Sequence, residues 1–152
     1  MCAQDEWLSQ RQEDPGISDA GHEQLTSFVR LMKKLKKKAG CGRYKVVTSP
    51  MMRALQTSVA VASALRAADL LQEDADSVEV SAEWKEVGGI YSAQASAHGS
   101  FVKMPGKARS PRAIKDQFGF NVDALPSNGP WDGGRGFETL PESLARAERV
   151  AR

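Results

Sequence analysis

Apolar residues along the first third of the chain fall at helical spacing. From Ser18 onward, Leu25, Phe28, Val29, Met32 and Leu35 share one face. Ser18 reads as an N-cap and Gly40 as a stop, which predicts a helix over residues 19 to 39. The period then changes. Tyr44-Lys45-Val46-Val47-Thr48 is a short, β-branched run closed by Ser49-Pro50, the pattern of a buried strand. A second apolar stripe of Leu55, Val59, Ala62 and Leu65 predicts a helix from just after Pro50 to about Leu71, where an acidic segment interrupts it. Residues 77 to 80 read as another strand.

Helix, strand, helix and strand joined by short connections imply an α/β fold, a parallel-type sheet covered by helices, in one domain. Residues 1 to 17 lack a regular pattern. Residues 88 to 136 are rich in Gly, Ser, Pro and Ala and lose periodicity, so they are expected to form a long loop region holding one short helix over 111 to 118. Thr139-Leu140-Pro141-Glu142 is a capping box with an early proline and predicts a helix through Arg152. No helix stop follows it, which leads to the expectation that the polypeptide was cut there.

Composition narrows the classes. The 152 residues suffice for a hydrophobic core without staples, and 41% hydrophobic with 26% charged residues excludes disordered and fibrous chains. No apolar stretch approaches the ~20 residues of a membrane span, and the first residues carry acids where a signal peptide needs an apolar run, so a cytoplasmic location is expected. Cys2 and Cys41 lack metal-ligand spacing and read as free thiols; neither a metal nor an organic cofactor is implied. The net charge of +2 is unevenly spread, with Lys33, Lys34, Lys36, Lys37, Lys38, Arg43 and Lys45 crowding one stretch. That run reads as the solvated end of a helix, where cations suit the dipole, and without interleaved aromatics it gives no case for nucleic-acid binding.

The segment with the most chemistry is Val46-Val47-Thr48-Ser49-Pro50-Met51-Met52-Arg53-Ala54-Leu55-Gln56-Thr57. A strand ends, proline turns the chain, and an arginine enters the first turn of a helix. Backbone N–H groups and the dipole at such a terminus attract phosphate, and a guanidinium adds charge-assisted hydrogen bonds.

Ser49-Pro50-x-x-Arg53-Ala54-x-Gln56-Thr57 resembles the signature of the histidine phosphatase (phosphoglycerate mutase-like) superfamily at every fixed position. Asp14-Pro15-Gly16-Ile17-Ser18-x-x-Gly21-x-x-Gln24 resembles that family's segment before its first helix, and Trp84-Lys85-Glu86-Val87-Gly88-Gly89-Ile90-Tyr91 resembles its Glu-x-Gly-Gly-Ile-Tyr stretch. Gly129-Pro130-Trp131 and Glu138-Thr139-x-x-Glu142-Ser143-x-x-Arg146 resemble stretches of some members. The matches run in the family's order across most of the chain.

The resemblance implies phosphomonoester hydrolysis or phosphoryl transfer through a phosphohistidine, on a small phosphorylated metabolite. It makes Arg53 the phosphate-binding residue and Glu86 the proton donor to the leaving oxygen, facing one cleft. The chain departs from the family where the nucleophile belongs. An Arg-His-Gly ending a first central strand has no counterpart in residues 1 to 17, where Gln10-Arg11-Gln12 is no substitute, and the closing strand with its His-Gly is likewise missing. The chain has two histidines: His22 falls at a spacer position, and His98 lies in the Ser/Ala-rich loop with no strand before it. The expectation is a histidine phosphatase-like domain truncated at both ends and inactive as it stands. The alternative is a non-catalytic phosphate-binding remnant, or a binding module using the basic run of residues 33 to 45. Substrate identity and oligomeric state are not coded in these motifs.

Overall fold

A computed structural model describes residues 10 to 35, 42 to 72, 77 to 97 and 100 to 151. The chain is mixed α/β, with four α-helices, one parallel strand pair and one antiparallel hairpin among these residues.

Helix α1 spans Asp19–Leu35, and Ser18 caps it by accepting a hydrogen bond from the Gly21 N–H (3.2 Å). It packs on helix α2, Met52–Ala67. Its apolar face is only partly covered: Leu25, Val29 and Met32 are half-buried, while Phe28 and Leu31 stay exposed. Residues 36 to 39 of the expected helix lie outside the described residues.

Strand β1, Val46–Thr48, pairs in parallel with β2, Val78–Val80, in the register Val46↔Val78 to Thr48↔Val80. The expected five-residue strand is shorter because Tyr44 takes other partners. Its N–H donates to Leu70 O (2.6 Å) and its carbonyl accepts from Gln72 N–H (3.0 Å), drawing the chain before β1 to the segment after α2. Helix α2 also ends before Leu71. Asp69 adopts a left-handed φ of 56°, Leu70 N–H bonds back to Leu65 O (2.9 Å), and the turn delivers Leu70 and Leu71 into the core. A 3-10 turn, Ala82–Trp84, follows β2.

The expected long loop over residues 88 to 136 is corrected by a hairpin, β3 (Tyr91–Ala95) against β4 (Phe101–Pro105). Backbone bonds build it. Gln94, Ala95, Val102, Lys103, Met104 and Pro105 are exposed, so the segment never acquires the alternation by which a half-buried strand shows in a sequence. Helix α3, Pro111–Phe118, forms where expected, capped by Ser110 and ended by Gly119. Helix α4, Leu140–Val150, starts with Glu142 accepting from the Thr139 N–H (2.8 Å).

One core joins these elements through Leu55, Leu65, Val80, Ile90, Ile114 and Trp131. Gly136 ties the last third to the hairpin: its φ is 74°, and a Cβ there would meet the Pro105 Cα at 2.5 Å. Only glycine fits that crossing.

Candidate functional site

The β1-to-α2 junction is closed and stapled. Thr48, Ser49, Pro50, Met51 and Met52 are all buried, and Ser49 Oγ accepts from the Met51 N–H (3.3 Å). The segment before α1 folds over the start of α2: Asp14 Oδ1 accepts from the Met52 N–H (2.8 Å), and Gln56 Oε1 accepts from the Ile17 N–H (2.7 Å). Asp14 thus serves the helix start as a cap supplied from far along the chain, since Met51 has no capping side chain. Burial pushes its carboxyl above the usual value, against the Met52 hydrogen bond and the positive charges of Arg109 and Arg53. Its Oδ2 is buried with no hydrogen-bond partner.

At the second residue of α2, Arg53 leaves this junction toward solvent. Its Nη2 donates to Glu86 Oε2 at 2.8 Å, so the two residues singled out from the sequence do stand together. Both remain open, with 47% and 43% of the side-chain surface exposed. A third residue joins them. Arg11 Nη2 lies 3.8 Å from Glu86 Oε1, and the Arg11 guanidinium lies 3.8 Å from the centre of the Tyr91 ring. Stacking on tyrosine pre-sets the guanidinium plane and leaves Arg11 14% exposed. Arg11 and Arg53, which flank the two oxygens of Glu86, line a cavity of about 570 Å³ together with Gln10, Gly16 and Ile17. Its volume is that of a small-molecule site.

No family model, curated protein or solved structure matches this chain. The site therefore rests on its geometry and on the motif resemblance.

The sequence motifs assign Arg11 no role, since Gln10-Arg11-Gln12 is no substitute for Arg-His-Gly, and its place is defined by a residue eighty positions away, Tyr91. The other candidates are not brought in. His22 is an exposed residue of α1, whereas His98, Cys2 and Cys41 lie outside the described residues. Within the basic run, Arg43 pairs with Asp69 (3.2 Å) and Lys45 with Glu79 (2.6 Å), while 36 to 38 lie outside the described residues. Among the described residues, no group of three or more His, Cys, Asp or Glu could hold a metal ion, and no helix is long and apolar enough to cross a membrane.

A second arginine–glutamate cluster closes the other end. Arg146 donates to both oxygens of Glu138 (Nε 3.0 Å, Nη2 2.9 Å) and to Glu83 O (Nη1 2.7 Å). Ser143 Oγ adds a bond to Glu138 (2.8 Å), and Lys85 Nζ stands 3.6 Å from it. Hydrogen bonding to Arg146, opposed by burial and helped by Ser143 and Lys85, lowers the Glu138 carboxyl to about 2. The Glu138, Ser143 and Arg146 of the sequence motif are therefore joined, and what they make is a brace between α4 and the 3-10 turn.

Proposed function

We propose that this chain binds a phosphomonoester or inorganic phosphate through Arg53 and Arg11, in a histidine phosphatase-like domain that lacks its phosphohistidine nucleophile. The observation that carries the reading is the Arg53–Glu86 pair, with Arg11 at the second carboxylate oxygen. Two guanidinium groups converge on one anionic group at the rim of a cavity. Glu86 occupies there the position of an anion, and phosphate oxygens that replaced it would take over the Arg53 and Arg11 donors as charge-assisted bonds. Displaced, the Glu86 carboxyl stands beside the ester oxygen, the place its motif assigns to the proton donor. Attack on phosphorus is the missing step. Neither of the two histidines occupies a motif position, so binding is expected without turnover.

The basic run of residues 33 to 45 is the rival binding surface. It is disfavoured because Arg43 and Lys45 are already engaged with carboxylates of their own chain. Titration calorimetry with inorganic phosphate, alongside an aryl phosphate hydrolysis assay, tests the proposal. Arg53→Ala is expected to abolish phosphate binding and Lys36→Ala to leave it unchanged, with no hydrolysis above background in any variant. Equal losses from both substitutions would mean unspecific charge attraction, and hydrolysis that depends on Arg53 would mean that the chain finds a nucleophile elsewhere.

A further inference from the structure

Beside the 570 Å³ cavity runs a second, apolar one of about 430 Å³ between α1 and α2. Leu25 and Phe28 of α1, Val61 of α2 and Ile17 before α1 form its walls. Two of its polar residues turn inward to their own backbone. Thr57 Oγ1 donates to Arg53 O (2.8 Å), and Ser18 Oγ accepts from the Gly21 N–H. Gln24 and Arg53 remain as its polar contributors, and Arg53, Ile17 and Ser18 line both cavities.

The sharing of Arg53 decides what the apolar cavity fits. An apolar groove alone names no ligand, but this one begins at the guanidinium proposed to hold phosphate. A ligand anchored there by its anionic end has an apolar wall directly beside it, and Phe28, 40% exposed in a helix face otherwise turned to α2, offers a ring to stack on. We infer that the site takes an amphiphilic phosphomonoester, with an aryl or comparably bulky apolar group on the phosphate, rather than a polyhydroxylated one. The inference rests on the phosphate-binding reading of Arg53. A sugar phosphate would have to desolvate its hydroxyls against Leu25, Phe28 and Val61, with the Gln24 side chain as the polar group left to them once Arg53 holds the phosphate.

The test measures binding of three probes by calorimetry: 1-naphthyl phosphate, glycerol 3-phosphate and inorganic phosphate. Burial of the naphthyl ring against this wall is expected to make its phosphate bind roughly tenfold or more tightly than glycerol 3-phosphate. Phe28→Ala, at a surface position with little to lose in folding, is expected to erase most of that advantage while inorganic phosphate binds as before. Leu25→Gln is a second variant with the same expectation, and circular dichroism checks that each keeps its helices. Arg53-dependent phosphate binding without a naphthyl preference, or a preference that survives both wall substitutions, overturns the inference and leaves phosphate binding standing. Loss of Arg53 dependence for all three probes overturns the phosphate reading itself. Self-association through this face, seen as sedimentation that depends on concentration and is abolished by Phe28→Asp, would assign the groove to a second copy and equally overturn it.

Discussion

Two arginine–glutamate pairs of similar chemistry have opposite fates in this molecule. At Arg146 and Glu138 the guanidinium is spent on both carboxylate oxygens and a backbone carbonyl, a serine and a lysine fill in around it, and both side chains are about nine-tenths covered. At Arg53 and Glu86 a single 2.8 Å bond joins two side chains left nearly half exposed at a cavity rim. The difference is one of completion. A pair whose hydrogen-bonding capacity is used up inside the protein stabilises the fold, because removing either member strands a buried charge. A pair with donors still facing solvent contributes little to stability and keeps its charge available for a ligand.

The largest effect is expected at the closed pair. Arg146→Ala removes two bonds to Glu138 and the bond to Glu83 O, leaving the carboxylate covered and dependent on Ser143 and Lys85. The loss should be roughly 3 to 5 kcal/mol, a large part of the ~5 to 15 kcal/mol typical of a domain. Urea denaturation reads it as a lower midpoint at unchanged slope. A loss below about 1 kcal/mol would place this cluster with ordinary surface pairs and erase the contrast.

The pH dependence comes next. Glu138 has a folded value of about 2 against an ordinary value of 4.5, so the stability it contributes is present above 4.5 and is lost as pH falls toward 2. The window is therefore 4.5 down to about 2, with a total on the order of 3 kcal/mol by the usual ~1.36 kcal/mol per unit. Glu138→Gln should flatten the acid limb of a plot of stability against pH. An unchanged limb would show that other carboxylates govern acid unfolding.

The open pair should be nearly silent in such measurements. Arg53→Ala is expected to shift stability by less than about 1 kcal/mol while removing phosphate binding, and salt should weaken the binding more than the fold. Comparable losses in both would make Arg53 a structural residue.

How far these features were legible depends on what each needed from the rest of the chain. The β1-to-α2 junction could be read because its cause is local: a β-branched run, a proline turn, then an apolar stripe from Leu55 to Leu65. Helix α3 was legible at its true bounds for the same reason, with Ser110 before Pro111 and Gly119 after Phe118. The hairpin was not. Its strands pair through the backbone and bury little, leaving nothing for periodicity to register. Arg11 was illegible because its place is set by Tyr91 and Glu86, both distant in sequence, and the periodicity that puts Leu25, Phe28, Val29 and Met32 on one face of α1 does not say how much of that face α2 covers. Arg53 and Glu86 were found through motif positions. Their exposed, incomplete pairing is a feature that only the folded chain displays.

The smallest effect is expected at Asp14, and it bears on why the open site stays open. Asp14 Oδ1 accepts the Met52 N–H at the start of α2, while Oδ2 is buried with no hydrogen-bond partner. An asparagine keeps the accepting oxygen and removes the charge. Burial is the leading influence on this carboxyl and acts to raise it, so the stability it contributes is fully present below 3.8 and is lost as pH rises through its folded value. Asp14→Asn should therefore match the wild type below 3.8 and exceed it slightly at pH 7 in paired urea titrations. Phosphate binding should tighten as well, because an anion has been removed beside Arg53. A variant less stable than wild type at pH 7 would mean that the charge of Asp14 against the helix terminus outweighs the cost of burying it. In that case the junction would already hold its own anion, and the contrast between a completed pair and an open one would fail at the end assigned to the ligand.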